Sequence, residues 1–465
     1  MNLMGCDGRL ATLPEILDRR EQRSQQQMAL LQQGPCVVSF SMNIPGALKS
    51  FPLATAGFEE GLTQLYRIFP ESWHLQCIRT SAVTGEEVLL LLNADPHHVK
   101  SLTIELEEQH PLGRLWDIDV LGQDGIPLSR GSFGHTRRTC LLCGQDAKIC
   151  GRSGAHTHEE LFWKSAEILD KFFRTRTAET VSRCITQAMV AEVSATPKPG
   201  LVDRANNGSH RDMDFDLFLT SIRALEPFFP EFFRLGWDNW DHSDSELFAA
   251  LREAGIRADK AMFAATGGVN THKGMVFSAA ILCGCLGRMH AGVFPLSLED
   301  VCLGCAKLGR QSLSDFERTS LSPTAGLRCY RDQHVSGIRG EAAAGFPAAR
   351  LALTALQEWK SQGISQNDAA LFALIHLIAH VVDTNMIHRG GAVQAAHRRE
   401  EALTLLPALT PHTIVPVLEE LDRSYTAVNL SPGGCADLLS LAMALDFLME
   451  CGLILPSAKS SNFCK

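Results

Sequence analysis

From Glu192 to Asp214 the chain reads EVSATPKPGLVDRANNGSHRDMD, a segment holding Lys198, Asp203, Arg204, His210, Arg211, Asp212 and Asp214. Pro197, Pro199, Gly200, Gly208 and the Asn206–Asn207 pair exclude a regular helix or strand and demand turns. An ordinary connector of this length is solvated and bland. A turn-rich stretch dense in acids, bases and a histidine, with helical patterns on both sides, suits ligand gripping and proton transfer, because such groups concentrate on loops held by a rigid scaffold.

Further polar segments follow. GGVNTHKG (267–274) precedes an apolar run from Met275. Its glycines permit close backbone approach, the helix start offers free amides with partial positive charge, and His272 and Lys273 add donors. This pattern reads as a phosphate-binding turn, although the spacing of a P-loop is absent. SGIRGEAAAGFP (336–347) sets Arg339 and Glu341 among glycines, DTNMIHRGG (383–391) follows an apolar helix, and NLSPGG (429–434) leads into a helix whose early Asp437 is a ligand or a dipole partner. Taken singly, each is a turn or a cap; together they point to one site.

Near residue 115 the chemistry changes. GRLWDIDV (113–120) alternates as a strand, so Asp117 and Asp119 share one face while Trp116, Ile118 and Val120 take the other. Two carboxylates so placed can hold divalent metal for attack on phosphorus; a solvent-facing strand edge is the plain alternative. Arg130, Arg137, Arg138 and Arg152 are phosphate donors nearby. Cys140, Cys143, Cys150 and His156 have the makings of a zinc site, but the spacings match no standard ribbon. In a chain with 15 cysteines, free thiols in a reducing compartment are the expectation.

These residues need elements to carry them. Up to about residue 155, short apolar runs (36–41, 75–83, 88–92, 115–121) read as strands and 57–69 and 97–109 as helices. Beyond about 157 nearly every segment has helical period, including 159–192, 214–235, 243–265, 275–290, 298–313, 346–362, 366–380, 394–406, 412–426 and 436–453. Strands in one half and helices in the other predict an α/β (α+β) domain over 1–170 followed by an all-α domain over 171–465. A length of 465 residues requires more than one core. A formal charge of -9 argues against a nucleic-acid footprint. The charged N-terminus and the lack of a long uncharged run predict no signal peptide and no membrane span, hence a cytoplasmic protein.

EVSATPKPGLVDRANNGSHRDMD, GGVNTHKGMVF, GIRGEAAAGFP, DTNMIHRGG and NLSPGGCADLL together resemble triphosphoribosyl-dephospho-CoA synthase, the citrate lyase prosthetic-group precursor enzyme. The resemblance implies that C1 of the ATP ribose is joined to a hydroxyl of dephospho-CoA while adenine leaves and the triphosphate stays. That chemistry asks for a carboxylate beside an oxocarbenium-like centre, a general base, and cations for the triphosphate. Charge and position within these motifs assign Lys198, His272 and Lys273 to substrate phosphates, and Arg204, Asn270, Gly274 and Arg339 to substrate binding. Glu192, Asp203, His210 and Glu341 become the acid–base and cation-stabilising candidates, and Asp212 and Asp214, with Asp203 or Asp383, the Mg²⁺ ligands.

The N-terminal half, through VVSFSMNIPG (37–46), HPLGRLWDIDV (110–120) and RRTCLLCGQDAKICGRSGAH (137–156), resembles apo-citrate lyase phosphoribosyl-dephospho-CoA transferase. This implies a nucleotidyltransferase-like domain in which a carrier-protein serine attacks the α-phosphorus and diphosphate leaves. Asp117 and Asp119 would hold metal, Arg114 and Arg137 would bind phosphate, and the partner would be the citrate lyase acyl-carrier subunit. A malonate decarboxylase carrier and a non-catalytic nucleotide-binding protein are the rival readings.

Overall fold

The computed structural model describes residues 8–317 and 325–455. The chain divides between Thr175 and Arg176 into two compact units. The division falls within one long helix, His158–Ser194.

In the N-terminal unit the elements run α1 (Leu13–Leu31), β1 (Cys36–Met42), α2 (Pro52–Ile68), β2 (His74–Ala82), β3 (Gly85–Leu92), α3 (Pro96–Gln109), β4 (Trp116–Leu121), α4 (Ala147–Ser153) and α5 (His158–Ser194). The four strands form one sheet in the order β2-β3-β1-β4, antiparallel throughout. Strands β1 and β3 are buried along most of their length because both faces are covered. On one face Leu30 and Leu31 of α1 pack against Val37, Leu89, Leu91 and Leu121. The core also stacks Phe58 of α2 on Phe40, with ring centres 4.8 Å apart, and sets Trp116 edge-on to Phe40. Gly61 makes room, since a Cβ there would lie 2.4 Å from the Phe40 ring. Helix α1 escaped the sequence reading. Its stretch is rich in Arg, Glu and Gln with only Arg19, Leu30 and Leu31 buried, so it presents almost no apolar stripe. Its start is nonetheless set by a capping box, Thr12 with Glu15.

The C-terminal unit is helical: α6 (Phe215–Leu225), α7 (Phe228–Asp238), α8 (Asp244–Ala265), α9 (Lys273–Arg288), α10 (Leu298–Arg310), α11 (Ala325–Gln333), α12 (Gly337–Ala343), α13 (Pro347–Ser361), α14 (Gln366–His380), α15 (Thr384–Leu405), α16 (Ile414–Ala427) and α17 (Gly433–Glu450). Helices α9, α14 and α17 are buried along most of their length and form its centre. Two expectations change. The single helix expected over 214–235 is two, broken at Pro227, which cannot donate within a helix. The polar stretch 383–391 is not a loop. Asp383 caps α15, accepting from the amides of Asn385 (2.7 Å) and Met386 (3.1 Å), and the helix runs on to a kink at Gly391, where φ is 79°. Among the described residues no single helix is long and apolar enough to cross a membrane.

Candidate functional site

The loop after α5 is strapped down. Asp203 is buried and accepts from the amides of Lys198 (2.9 Å), Ala205 (2.7 Å) and Asn206 (3.0 Å), closing a tight turn. Asp422 of α16 receives the Gly200 amide (2.8 Å) and the Asn206 side chain (2.9 Å). Asn367 at the start of α14 exchanges two hydrogen bonds with the Thr196 backbone, each 2.9 Å. Gly200 has φ +66° and would set a Cβ 2.2 Å from the Leu430 carbonyl, so only glycine fits there.

This anchored loop lines one side of a cavity of about 1230 Å³ in the C-terminal unit. Glu192, Lys198 and His210 line it from the loop and the end of α5; Asn270, His272, Lys273 and Gly274 line it at the start of α9. Arg339, Glu341 and Asp383 close it from α12 and the cap of α15. The remaining expected residues are not among its lining. Asp203 holds the loop turn. Arg204 is exposed, donates to Ser194 Oγ (3.2 Å) and lies over the Phe215 ring. Asp214 is exposed and caps α6 by accepting from the Leu217 amide (2.8 Å). Asp212 is exposed, and its charge acts on the His210–Arg389 pair. The expected Mg²⁺ set of Asp212 and Asp214 with Asp203 or Asp383 is therefore not assembled, because Asp212 and Asp214 lie on the surface while Asp203 and Asp383 are committed to backbone amides. Besides α15, Asp383 also accepts from the Cys435 amide (2.9 Å).

Inside the cavity, Lys198 Nζ donates to Glu192 Oε1 at 2.5 Å, and both side chains are almost fully buried. Burial holds the Glu192 carboxyl above its ordinary range, with Lys198 pulling the other way. His272 is buried and its Nδ1 lies 2.8 Å from Ser221 Oγ, which receives a hydrogen bond from Thr271 Oγ1 at 2.7 Å. Ser221 thus turns its own proton to Nδ1, leaving the proton of the neutral ring on Nε2, which has no partner. Burial pushes the His272 pKa down to about 3, so the ring stays neutral. His210 is likewise pushed down to about 4, first by burial and then by Arg389. Arg389 donates to its Nδ1 (3.0 Å), so Nε2–H faces Ser431 Oγ at 2.9 Å.

The start of α9 is only partly an open anion cradle. The Asp437 carboxylate accepts from the Met275 amide, and Asn270 accepts from the Lys273 amide at 3.3 Å. Gly274 permits this approach: a Cβ there would lie 2.0 Å from Asp437 Oδ2. Asp437 is raised well above the carboxylate range by burial and by the charges of Glu192 and Asp383. Lys273 Nζ stands 3.8 Å from Asp259, whose carboxyl is raised by burial and whose Oδ1 is unpartnered.

Asp259, Arg252, Asp315, Ser221 and Arg389 also face the site or its supports, and the sequence assigns them no role. Arg252 and Asp259 share the α8 face that carries Phe248, Ile256 and Phe263 into the cavity. Two charges breaking an apolar stripe were the available signal. Arg252 bonds Asp315 at 2.9 Å, and Arg339 lies 3.5 Å from the same carboxylate.

In the N-terminal unit, residues directly opposite on antiparallel strands share a face. Ser39 pairs with Asp119 and Leu89, and Ser41 with Asp117 and Glu87, so Ser39, Ser41, Glu87, Asp117 and Asp119 lie on the face that α1 covers further along. Trp116, Ile118 and Val120 are buried, while Asp117 and Asp119 are exposed on this edge strand. Surrounding protein, and then Asp117, hold the Asp119 carboxyl above its usual range. Arg19 and Arg23 of α1 bind Glu87 at 2.6 and 2.8 Å. Arg114 is engaged, bonding the Thr139 carbonyl, whereas Arg137 is largely exposed, 3.8 Å from Asp146.

A family model described as ATP:dephospho-CoA triphosphoribosyl transferase matches residues 178–453, and one described as apo-citrate lyase phosphoribosyl-dephospho-CoA transferase matches residues 11–172. The chain is similar to Protein CitXG of Haemophilus influenzae, 34% identical over 452 residues that cover 94% of this chain and 96% of the relative. Protein CitXG of Leuconostoc mesenteroides subsp. cremoris is 35% identical over 464 residues, covering 94% and 97%. A 2-(5''-triphosphoribosyl)-3'-dephosphocoenzyme-A synthase of Pectobacterium atrosepticum is 39% identical over 267 residues, covering 57% and 88%.

Proposed function

The chain belongs to the ATP:dephospho-CoA triphosphoribosyl transferase family through residues 178–453 and to the apo-citrate lyase phosphoribosyl-dephospho-CoA transferase family through residues 11–172, and from that premise we propose which unit performs each of two successive transfers and with which residues. The protein is a bifunctional transferase of citrate lyase prosthetic-group biosynthesis. The C-terminal cavity takes ATP and dephospho-CoA, joins ribose C1 to the dephospho-CoA hydroxyl and releases adenine. The N-terminal unit then passes the phosphoribosyl-dephospho-CoA group to a serine of the citrate lyase acyl-carrier subunit, and diphosphate leaves.

The observation that carries this reading is the convergence of separate polar segments on one cavity, with buried groups left unpartnered inside it. Its volume exceeds the roughly 300–1,000 Å³ of a typical single-ligand pocket, as a two-substrate reaction requires. The unpartnered Nε2–H of His272 suits a donor to the departing adenine or to ribose. Asp259, raised and with one oxygen free, suits the base that takes the proton of the attacking hydroxyl. Glu192, a carboxyl on the cavity wall, is our assignment for stabilising the positive charge that grows at C1.

Five cationic side chains line the cavity (Lys198, Arg252, Lys273, Arg339 and Arg389) against six carboxyls: Glu192, Asp259, Asp315, Glu341, Asp383 and Asp437. That balance does not favour a bare triphosphate. Hard oxygen donors beside a polyphosphate fit Mg²⁺, which takes one or two carboxylates and the substrate's own phosphates. Asp437 is the ligand we assign, and Mg²⁺ would supply charge neutralisation for the triphosphate. Lys273 and Arg339 then contact phosphate directly.

For the N-terminal unit a nucleotidyltransferase-like fold is our reading. It is supported by the helix-covered sheet and by Asp117 and Asp119 side by side on one strand, where carboxylate oxygens again fit Mg²⁺. Exposed Arg137 offers a docking contact to an acidic carrier.

The test is the mass of apo-carrier incubated with the protein, ATP, dephospho-CoA and Mg²⁺. The expected result is a gain of one phosphoribosyl-dephospho-CoA group. Asp117→Asn combined with Asp119→Asn should stop this gain while adenine is still released. An unmodified carrier, or full modification by the double variant, contradicts the assignment.

A further inference from the structure

The segment between β4 and α5 lacks a core of its own. From Gly122 to Glu160 only Cys150 is buried, while Ile126, Leu142 and Ile149 are exposed. Yet the stretch around the cysteines is ordered as a small knuckle. The Cys140 amide donates to the Gln145 carbonyl (2.6 Å), and the Ala147 amide to the Arg138 carbonyl (2.9 Å). Gly144 turns the chain with φ +72°, and the Leu142 amide points at Cys140 Sγ, 3.4 Å away. Asp146 caps the short helix α4, which carries Cys150 and ends at Gly154 with φ +60°. His156 follows directly. The single ligand atoms of Cys140, Cys143, Cys150 and His156 all lie within 4.8 Å of one another.

We propose that these four residues hold a structural zinc ion. Two sulfurs on a tetrahedral zinc stand about 3.8 Å apart, given Zn–S near 2.3 Å. Cys143 Sγ and Cys150 Sγ are 3.9 Å apart. Three thiolates and one imidazole are a closed structural set with no position for substrate, and their softness favours zinc over magnesium or calcium. His156 Nε2 is buried without a hydrogen-bond partner, which a ligated nitrogen explains and a surface histidine does not. A disulfide would pair two of the three sulfurs and leave the third, and the imidazole, without purpose. The spacing Cys-x2-Cys-x6-Cys-x5-His fits no standard ribbon, so the sequence alone favoured free thiols; the knuckle and the helix bring the four together.

Zinc would replace the missing apolar core of this segment. Arg138, just before the knuckle, donates to the Trp116 carbonyl at 2.9 Å and pairs with Glu107, and Arg114 bonds the Thr139 carbonyl. The metal-ordered segment is thus latched to the first residue of β4, the strand of Asp117 and Asp119. The ion is a positioning element for the transfer site and touches no substrate.

Metal analysis of the full chain, purified without added metal, tests this directly. About one zinc per chain is expected, lost in Cys143→Ser and in His156→Asn. Replacing the metal of the unmutated chain with Co²⁺ should give thiolate-to-cobalt charge-transfer absorption, a readout independent of whether the variants fold. The variants should keep adenine release while carrier modification falls at least tenfold. That last readout rests on the proposed function, whereas zinc content does not, so the two can fail separately. Absence of zinc, iron in its place, equal zinc in the variants, or no thiolate band with Co²⁺ would overturn the site.

Discussion

His272 shows how much chemistry a single side chain inherits from its neighbours. Thr271 fixes the Ser221 hydroxyl, Ser221 fixes the tautomer of His272, and the imidazole is left with one donor and no acceptor. Removing the ring should cost more than removing the hydroxyl that orients it. His272→Ala is expected to slow adenine release by about a hundredfold or more at saturating ATP. Ser221→Ala should produce a smaller fall in kcat with little change in KM. Equal effects, or none, would place His272 outside the reaction. With pKa values pushed down to about 3 and about 4, His272 and His210 are neutral on both sides of the ordinary histidine pKa of about 6.5. Neither histidine should therefore contribute an inflection there, and His210→Asn should leave the shape of the pH–rate profile of adenine release unchanged near pH 6.5.

At the scale of elements, the cavity depends on helices packed close enough to fix its walls. Helices α7 and α9 touch through glycines: a Cβ on Gly236 would lie 2.0 Å from the Gly284 carbonyl oxygen, and one on Gly287 would lie 1.9 Å from that of Phe233. Backbone on both sides leaves nothing flexible to yield. Gly287→Ala should therefore destabilise the C-terminal unit by about 1–3 kcal/mol, read as a lower urea midpoint; an unchanged midpoint would mean that the helices separate freely. Most helices of this unit were legible from their apolar period, and the four strands from short apolar runs. What was not legible has physical causes. Helix α1 is too polar to show a stripe. Asp383 reads as a loop acid because capping and ligation draw on the same residue type. Asp212 and Asp214 sit in the richest motif yet are exposed, since a motif marks the neighbourhood of a site without saying which side chains face inward. Arg252 and Asp259 belong to a helix that looks ordinary until Asp315 and Lys273 are brought beside them.

For the whole molecule, the two units match families whose chemistries follow one another; on the proposed reading the C-terminal unit makes an activated triphosphate and the N-terminal unit transfers from it to a protein serine. A net charge of -9 and a cavity with more carboxyls than cationic side chains suit ATP only when divalent cations are counted with the substrate. The proposed function stands or falls with that cavity as the place where ATP loses its base. Adenine released from ATP, dephospho-CoA and Mg²⁺ by the full chain, compared with Lys273→Ala, is the most direct measurement. Adenine is expected only when both substrates are present, with a raised KM for ATP or no turnover in the variant. Absence of adenine from the unmutated chain, or unchanged kinetics in Lys273→Ala, would contradict it.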